Sequence, residues 1–148
     1  MQTTNLKVDV VSWGKEQSTL QRIRRQVFIE EQGVPEELEW EADDRIATHL
    51  LARHAVYGPV ACARLLATRQ IGRMAVLAEY RHQGIGSALL KKAIIIANAM
   101  QYSDVFLHAQ TSAMNFYQRF GFVVEGEEYL EAGIPHINMR LQLQNDTR

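Results

Sequence analysis

The pattern of hydrophobic and polar residues along the chain predicts an α+β fold of ten elements in the order β-α-β-β-β-α-β-α-β-β. Apolar residues recur with helical spacing in three segments, residues 18–31, 85–100 and 113–120. Alternating or continuous apolar runs predict seven strands, at residues 6–11, 48–54, 60–68, 71–77, 104–109, 122–129 and 136–143. We therefore expect a mixed sheet with helices packed on it, in which strand 104–109 runs parallel to strand 71–77 through a right-handed crossover.

Residues 71–100 are the most informative part of the chain, since they combine a strand, a short polar turn and a long amphipathic helix. The apolar face of the predicted helix consists of Ile85, Leu89, Ala93, Ile96 and Met100, and Ser87, Lys91 and Asn98 lie opposite. Two glycines in the turn, Gly84 and Gly86, precede or open this helix. Glycines there let the backbone approach a ligand closely. The unpaired N–H groups and the dipole of the first turn then favour a phosphate.

Glycine spacing alone is a weak signal, because the same residues also fit a tight turn without a ligand. A dinucleotide fingerprint requires a third glycine three residues after Gly86, where the chain has Leu89. A P-loop requires Gly-Lys followed by serine or threonine, and the residues after Gly86 do not supply that sequence. These two common nucleotide-binding loops are therefore excluded.

The composition narrows the class of protein. A chain of 148 residues suits one domain, which we place at residues 1–148. A net charge of −1 lacks the basic excess that is typical of nucleic-acid binding. The single cysteine, Cys62, fits a reducing compartment and a buried apolar position. Without a signal-peptide pattern or a membrane-spanning apolar run, we expect a cytoplasmic location. A homodimer is possible, since the sequence does not determine the oligomeric state.

Two motifs resemble those of the GNAT family of N-acetyltransferases. Arg81, Gly84 and Gly86, between a strand and a helix, are similar to the family's acyl-CoA pyrophosphate loop. The segment 113–122, Ala-Met-Asn-Phe-Tyr-Gln-Arg-Phe-Gly-Phe, resembles the second GNAT signature. Residues 27–35 and 133–136 resemble a subgroup of small bacterial members whose substrate is poorly defined. The resemblance covers nearly the whole chain and implies the GNAT fold, with two splayed parallel central strands.

The resemblance implies acetyl-CoA as co-substrate and a set of residues that bind it. Backbone groups of three strand residues would hold the pantetheine arm, and one of their N–H groups would support the oxyanion; these residues are Met74, Ala75 and Val76. The pyrophosphate loop and two later positions complete the set, which is Arg81, His82, Gln83, Gly84, Ile85, Gly86, Ser87, Gln110 and Phe116. Three positions depart from the family pattern, namely Ala78 in place of proline, His82 in place of glycine and Gln110 in place of asparagine. With glutamine at position 110, the sequence does not determine whether the side-chain contact that the family's asparagine makes to CoA is present.

Tyr117 is the candidate general acid, because the family places a tyrosine of this helix near the CoA sulfur. A phenol has a reference pKa of about 10, so it carries a proton for the leaving thiolate at neutral pH. The alternative is aromatic packing against Phe116 and Phe120, and both roles are compatible, since a buried tyrosine ring can still present its hydroxyl.

The general base is less well defined by the sequence. Glu31 and Glu30 end the first predicted helix, near the acceptor channel of this architecture, and we favour Glu31. Imidazole titrates in the useful range, so three histidines are alternatives; these are His49, His108 and His136. The histidines lack the close spacing of a metal site, and we expect no metal.

Residues 34–45 contain six acidic side chains, Glu36, Glu37, Glu39, Glu41, Asp43 and Asp44. A solvated loop or a short helical turn explains them, but beside the acceptor channel they would attract a cationic amine. Trp40, exposed in such a loop, would line a pocket or an interface. The leading hypothesis is therefore acetyl transfer to the primary amine of a small cationic acceptor. An acyl-CoA sensor without turnover and a purely structural module are the alternatives, and an intact loop and Tyr117 favour the enzyme.

Overall fold

The computed structural model describes residues 5–144 and contains the ten predicted elements, with additional short turns of helix. The strands are β1 (Leu6–Val11), β2 (Thr48–His54), β3 (Gly58–Leu65), β4 (Ile71–Val76), β5 (Asp104–Gln110), β6 (Val123–Glu131) and β7 (Ile134–Gln142). The α-helices are α1 (Trp13–Arg24), α2 (Glu36–Glu39), α3 (Ile85–Ala99) and α4 (Met114–Gln118). Apart from the short α2 and the 3₁₀ turns, the element order is the predicted one.

The strands form two antiparallel sheets, which one parallel contact joins into the expected mixed arrangement. The first sheet has the order β1-β2-β3-β4 and the second the order β5-β7-β6. They meet only where β4 and β5 begin, through one parallel bridge between Gln70 and Phe106. Beyond that bridge the backbone ladder between β4 and β5 stops, so the two parallel strands diverge. The predicted splay is confirmed, and it opens a gap between the sheets.

The first helix begins five residues earlier than the sequence pattern indicates. Ser12 caps it, because its hydroxyl accepts the backbone N–H of Lys15 at 3.2 Å. After Arg24 the helix continues to Glu31 as a π-helix, residues Arg25–Glu31. Leu20, Ile23 and Val27 are buried along its inner face. The wider π-helical turns change which side chains face the gap, and such turns are frequent at functional sites.

Helix α3 packs across the first sheet and anchors the central core. Its fully buried residues are Ile85, Leu89, Leu90, Ala93 and Ala97. The predicted face was therefore right for three of five positions, whereas Ile96 is only partly buried and Met100 is 49% exposed. The helix ends at Ala99, so Met100 no longer belongs to its apolar stripe.

The last two strands form a tight hairpin over the open end of the gap. Ala132 and Gly133 connect them and both have positive φ, 52° and 78°. This fits a two-residue turn whose twist matches the strands. The sequence predicted a longer turn over residues 131–135, so β6 extends further and β7 begins earlier than expected. As a result Glu131, the last residue of β6, reaches the gap.

Candidate active site

A cavity of about 510 Å³ occupies the gap between β4 and β5. Its floor comes from β4 and β5, one wall from the π-helix and the acidic segment, and the opposite wall from α4 and the β6–β7 hairpin. The residues that line it include Gln32, Glu39, Glu41, Asp43, Arg64, Arg73, Met74, His108, Gln110, Tyr117, Glu131 and His136. Apolar, ionisable and backbone groups thus converge on one concave site, which is typical of small-molecule sites.

Strand β4 has a bulge where it borders the cavity. Gly72 and Ala75 pair with Arg64 and Cys62 of β3, so three steps along β4 oppose two along β3. Arg73 lies in this interval with a φ of 46°. Such a bulge leaves one residue outside the regular ladder and re-aims its neighbours. The bulge directs this part of β4 towards the cavity and was not detectable from the sequence pattern.

The three strand residues predicted to bind the pantetheine arm are in different environments. Met74 lines the cavity, whereas the Ala75 side chain is buried in the core. The N–H of Leu77 donates to Val60 of β3, so alternation turns the backbone groups of Val76 to the free edge of β4. The carbonyl of Val76 there accepts a hydrogen bond from Arg81 Nε at 2.8 Å. The free edge of β4 is therefore suited to backbone contacts with an extended ligand.

The loop between β4 and α3 has the conformation of a phosphate-binding turn. Gly84 is the N-cap residue of α3 in the left-handed region, with φ 86°. His82 also has positive φ, 62°, which explains why glycine is frequent at its position in the family. No side chain of the described residues caps α3, so its first N–H groups can bind an anion. A Cβ on Gly86 would lie 3.6 Å from the ring of Phe116.

The remaining loop residues have distinct surroundings. Ile85 is 1% exposed and belongs to the core, so its side chain is structural. Ser87 is partly buried in the first turn of α3. Gln83 has a buried Oε1 atom without a hydrogen-bond partner in residues 5–144. An unpaired buried acceptor is costly, so a donor from a bound ligand or water would stabilise this loop.

Arg81 and Glu31 form a bidentate ion pair across the base of this loop. The two Nη atoms of Arg81 lie 2.5 and 2.6 Å from the carboxylate oxygens of Glu31. Hydrogen bonding to Arg81 lowers the pKa of Glu31, against a smaller opposing effect of burial. Glu31 is absent from the cavity lining and instead borders a shallow groove with Glu30 and Glu79. A paired carboxylate outside the cavity is poorly suited to deprotonate an acceptor there.

Tyr117 lies in the cavity wall with its ring packed edge-on against Phe116 and Phe122. Burial raises the pKa of Tyr117 to about 12. Its hydroxyl therefore stays protonated over the physiological pH range. The ring of Phe120 lies 5.5 Å from that of Phe116, and its backbone N–H donates to the carbonyl of Tyr117 at 3.0 Å.

Gln110, the last residue of β5, also lines the cavity. Its amide Nε2 donates to Oε1 of Gln32 at 2.9 Å, although the two residues are 78 positions apart in sequence. This contact ties the end of the π-helix to β5 across the gap. The sequence offered no reason to single out Gln32.

A cluster of two histidines and a glutamate lies on the hairpin side of the cavity. His108 Nδ1 is 2.9 Å from Glu131 Oε1, and His136 Nε2 is 3.9 Å from Glu131 Oε2. A carboxylate accepts hydrogen bonds, so Nδ1 of His108 carries the proton and Nε2 has a free lone pair when the ring is neutral. The sequence suggested both histidines but missed Glu131, because its position depends on the exact hairpin register.

His49, the third histidine considered, is a structural residue. It is 2% exposed, its Nε2 lies 2.7 Å from the carbonyl oxygen of Asp44, and its ring stacks on Trp13. Burial lowers the pKa of His49, so it is held neutral in the interior.

The acidic segment contains the short helix α2, which the sequence interpretation allowed, but two of its carboxylates, Glu39 and Asp44, are buried and not solvated. Arg24 is 1% exposed and binds Glu39 Oε2 and Asp44 Oδ1, each at 2.8 Å. Arg64 also binds Asp44, at 2.9 Å. Burial opposes ionisation of Asp44, but these hydrogen bonds hold its pKa below the usual value. Two of the six carboxylates therefore neutralise buried arginines, which no local pattern revealed.

Trp40 is likewise not an exposed pocket residue. Its indole N–H donates to Glu36 at 3.2 Å, and the guanidinium groups of Arg24 and Arg25 lie 5.3 and 5.6 Å from its ring centre. Trp40 thus covers the buried ion pairs, and Glu36 is engaged by Arg25 and Trp40.

Residues 5–144 contain no group of three or more His, Cys, Asp or Glu side chains that could hold a metal ion. Over the same residues, no helix combines the length and apolarity needed to cross a membrane.

Comparison with known proteins places this geometry in one family. Residues 13–143 match the model of the acetyltransferase (GNAT) domain. YjcF of Bacillus subtilis (strain 168), an uncharacterized N-acetyltransferase, is 33% identical over 121 residues, or 79% of this chain and 86% of YjcF. An acyl-CoA N-acyltransferase from Pseudomonas aeruginosa has a similar structure, with a TM-score of 0.77 and 31% identity over 91% of this chain and 97% of its own.

A third structure shares the fold at lower sequence similarity. A GNAT family acetyltransferase from Elizabethkingia anophelis, with acetyl-CoA bound, gives a TM-score of 0.72 at 19% identity and covers 94% of this chain and 99% of its own. The family model spans most of the chain, and the splayed strands and the glycine turn are in the expected places. The chain therefore belongs to the GNAT family of N-acetyltransferases.

Proposed function

We propose that this protein transfers an acetyl group from acetyl-CoA directly to the primary amine of a small acceptor. The main support for this proposal is the cavity between β4 and β5, because an open strand edge, a protonated Tyr117 and a histidine–glutamate pair all border it. The glycine turn at the start of α3 supplies the anion site that a pyrophosphate requires. Direct transfer needs no covalent enzyme intermediate.

The co-substrate would lie along the free edge of β4. Its pyrophosphate would bind the uncapped N-terminus of α3, and its pantetheine arm would contact backbone groups near Met74 and Val76. Residues of the bulge around Arg73 would bring an N–H group near the thioester oxygen, where developing negative charge is best stabilised. The Arg81–Glu31 pair supports this arrangement indirectly, because it fixes the loop against the carbonyl of Val76.

Acid and base would come from different elements of the cavity, α4 and β5. His108 would take the proton of the ammonium acceptor on Nε2, while Glu131 holds the ring in position through Nδ1. The amine then attacks the thioester carbonyl, the nitrogen of the tetrahedral intermediate loses its second proton to solvent, and the C–S bond breaks with release of CoA thiolate. Tyr117 would protonate that thiolate. This assignment replaces Glu31 by His108 as the preferred base.

Negative charges at the cavity support an acceptor that is cationic before deprotonation. Of the six carboxylates of residues 34–45, Glu39, Glu41 and Asp43 line the cavity. Arginines bind Glu39 and Glu41, so we assign the attraction to Asp43. Glu131 contributes a second carboxylate on the opposite wall. The attraction is therefore local, at the cavity, and does not arise from the whole acidic segment.

Replacing Gly86 with valine is expected to weaken acetyl-CoA binding by at least about tenfold, because the added branches enter the space beside the first turn of α3. Gly14→Val is the matched control, since Gly14 also lies in a first helical turn and its Cβ would have a 3.6 Å contact, to Ser12. Calorimetry of both folded variants measures the effect. Gly84 is unsuitable for this test, because its φ of 86° strains any substitution. Equal affinity of Gly86→Val and the control would contradict the assigned cofactor site.

Replacing His108 with asparagine is expected to lower turnover by roughly 10²-fold, because the side chain can no longer take the proton of the acceptor. Asparagine retains a donor for Glu131, so the hairpin contact is preserved. His136→Asn is the matched comparison, because it keeps the hydrogen bond to the carbonyl of Ile134. Single-turnover thiol release measures both variants. If turnover falls only in His136→Asn, the base is His136 and our assignment is wrong.

The reaction itself is tested by acetyl-CoA-dependent thiol release with a panel of amines, together with calorimetric titration of CoA. Release that depends on the amine supports the enzyme. Tight CoA binding with no thiol release above the rate of hydrolysis, for any amine of the panel, would instead indicate a sensor.

A further inference from the structure

The carboxylate of Glu41 lies between two arginines in the wall of the cavity. Its Oε1 atom is 2.8 Å from Nη2 of Arg64 and 3.1 Å from Nη2 of Arg73. All three side chains line the cavity. A carboxylate bound by two guanidinium groups is a common way in which proteins recognise carboxylate ligands. Here the bound carboxylate belongs to the protein itself.

The two arginines are held in place independently of Glu41. The Arg64 side chain is 4% exposed and is bound by Asp44. Arg73, 21% exposed, has Nε 3.0 Å from Glu39 Oε2 and donates to the carbonyl of Glu39. The Glu41 side chain is 42% exposed, and besides the arginines it caps only the short turn that follows it. Glu41 is therefore the member of this cluster that an incoming ligand can displace.

The charges of the cluster favour an anion in that position. Arg24, Arg64 and Arg73 are balanced by three carboxylates, those of Glu39, Glu41 and Asp44. With Glu41 displaced, three positive charges of this cluster face two negative ones, so the cluster has a net charge of +1. Nε of Arg64 is also buried and without a hydrogen-bond partner in the described part of the chain. An uncompensated buried guanidinium is costly, so a ligand carboxylate would replace Glu41 favourably.

The backbone at Arg73 supports a functional role for this side chain. Its φ of 46° is unfavourable for a residue other than glycine, and such positions are concentrated at binding and catalytic sites. The bulge presents the guanidinium at the cavity one residue before Met74, at the proposed thioester position. A group anchored at Arg73 would thus lie close to the reacting carbonyl.

We propose that Arg64 and Arg73 form a carboxylate-binding subsite for the acceptor, and that Glu41 occupies this subsite when no acceptor is bound. The acceptor is then an amine that also bears a carboxylate, as in an amino acid. Its ammonium group would face His108, Glu131 and Asp43, and its carboxylate the two arginines. This inference rests on the proposed function, because it concerns the acceptor of the same cavity.

Matched pairs of compounds that differ only in a carboxylate test the subsite: lysine and cadaverine, histidine and histamine, phenylalanine and phenethylamine. Binding is measured by calorimetry to the CoA-bound protein, so it does not require turnover. We expect at least one amino acid to bind about tenfold or more tightly than its decarboxylated partner. Glu41→Gln should strengthen amino-acid binding severalfold, because glutamine keeps a capping oxygen but no longer competes as an anion. Glu37→Gln is the control, since Glu37 is exposed and absent from the cavity lining.

Arg73→Gln should abolish the preference for the amino acid over its decarboxylated amine. The subsite is overturned if, in all three pairs, the amino acid binds no more tightly than its decarboxylated amine. It is also overturned if Glu41→Gln does not change the affinity for amino acids. The proposed function is tested separately by thiol release from acetyl-CoA. If only the decarboxylated amines are acetylated, the proposed acetyl transfer is supported and the carboxylate subsite is refuted. If amino acids bind but no thiol is released, the subsite is supported and the proposed acetyl transfer is refuted.

Discussion

Replacing Tyr117 with phenylalanine is expected to reduce acetyl transfer by about 10²–10⁴-fold, the usual effect of a positioned general acid. Phenylalanine retains the ring contacts with Phe116 and Phe122 but cannot protonate the CoA thiolate. Acetyl-CoA affinity should change little, because the proposed pyrophosphate site is at the start of α3. Single-turnover thiol release, in which chemistry is observed directly, measures the loss. Because burial raises the pKa of Tyr117 to about 12, the wild-type rate should not fall between pH 8 and about pH 10 through loss of this proton.

Tyr117→Ala is the companion variant that separates catalysis from packing. It removes the ring as well and should also lower stability, by about 3–5 kcal/mol, as a buried aromatic side chain does when truncated. If Tyr117 acts only through packing, the phenylalanine variant has nearly normal turnover and only the alanine variant is impaired. That result would assign protonation of the thiolate to water or another group.

Replacing Arg24 with methionine is expected to lower the free energy of unfolding by about 3–5 kcal/mol, because it leaves Glu39 and Asp44 buried with too little positive charge. For a chain of this size the loss corresponds to a fall of roughly 6–20 °C in the thermal midpoint. Differential scanning calorimetry at neutral pH measures it. The acidic segment should detach first, since Arg24 joins α1 to the middle of that segment and to its C-terminal end.

Arg25→Met is the matched control, because Arg25 is the next residue, also contacts Trp40, and binds Glu36 at the surface. Exposed ion pairs contribute little, so its midpoint should change far less than that of Arg24→Met. Similar midpoints for the two variants would show that the buried ion pairs do not stabilise the segment.

The sequence alone determined the elements and the family. Periodicity located β1, α3 and the hairpin of β2 and β3 correctly, because local spacing of apolar residues reflects which face is buried. Gly84 and its neighbours indicated an anion site, since positive φ and an uncapped helix are encoded within a few residues. Tyr117 followed from its place in a motif. That these elements belong to a GNAT enzyme could therefore be predicted before any contact was known.

The tertiary structure decided which candidate side chains share the cavity. Glu31 was a reasonable base by position, yet Arg81, fifty residues later, binds it outside the cavity. Glu131 and His108 meet only because the β6–β7 turn has two residues and β5 pairs with β7. These contacts depend on strand register and on residues distant in sequence, which no local pattern contains.

The acidic segment shows the same limit most clearly. Its composition indicated a solvated, cation-attracting loop, whereas three arginines from α1, β3 and β4 neutralise Glu39, Glu41 and Asp44. Those arginines lie up to 34 residues away in the chain, and only folding brings them under Trp40 and into the cavity wall. The sequence thus determined the element order and the glycine turn before α3, because both are encoded locally. The charge of the cavity wall was decided by tertiary structure, because it is a sum over groups from separate elements.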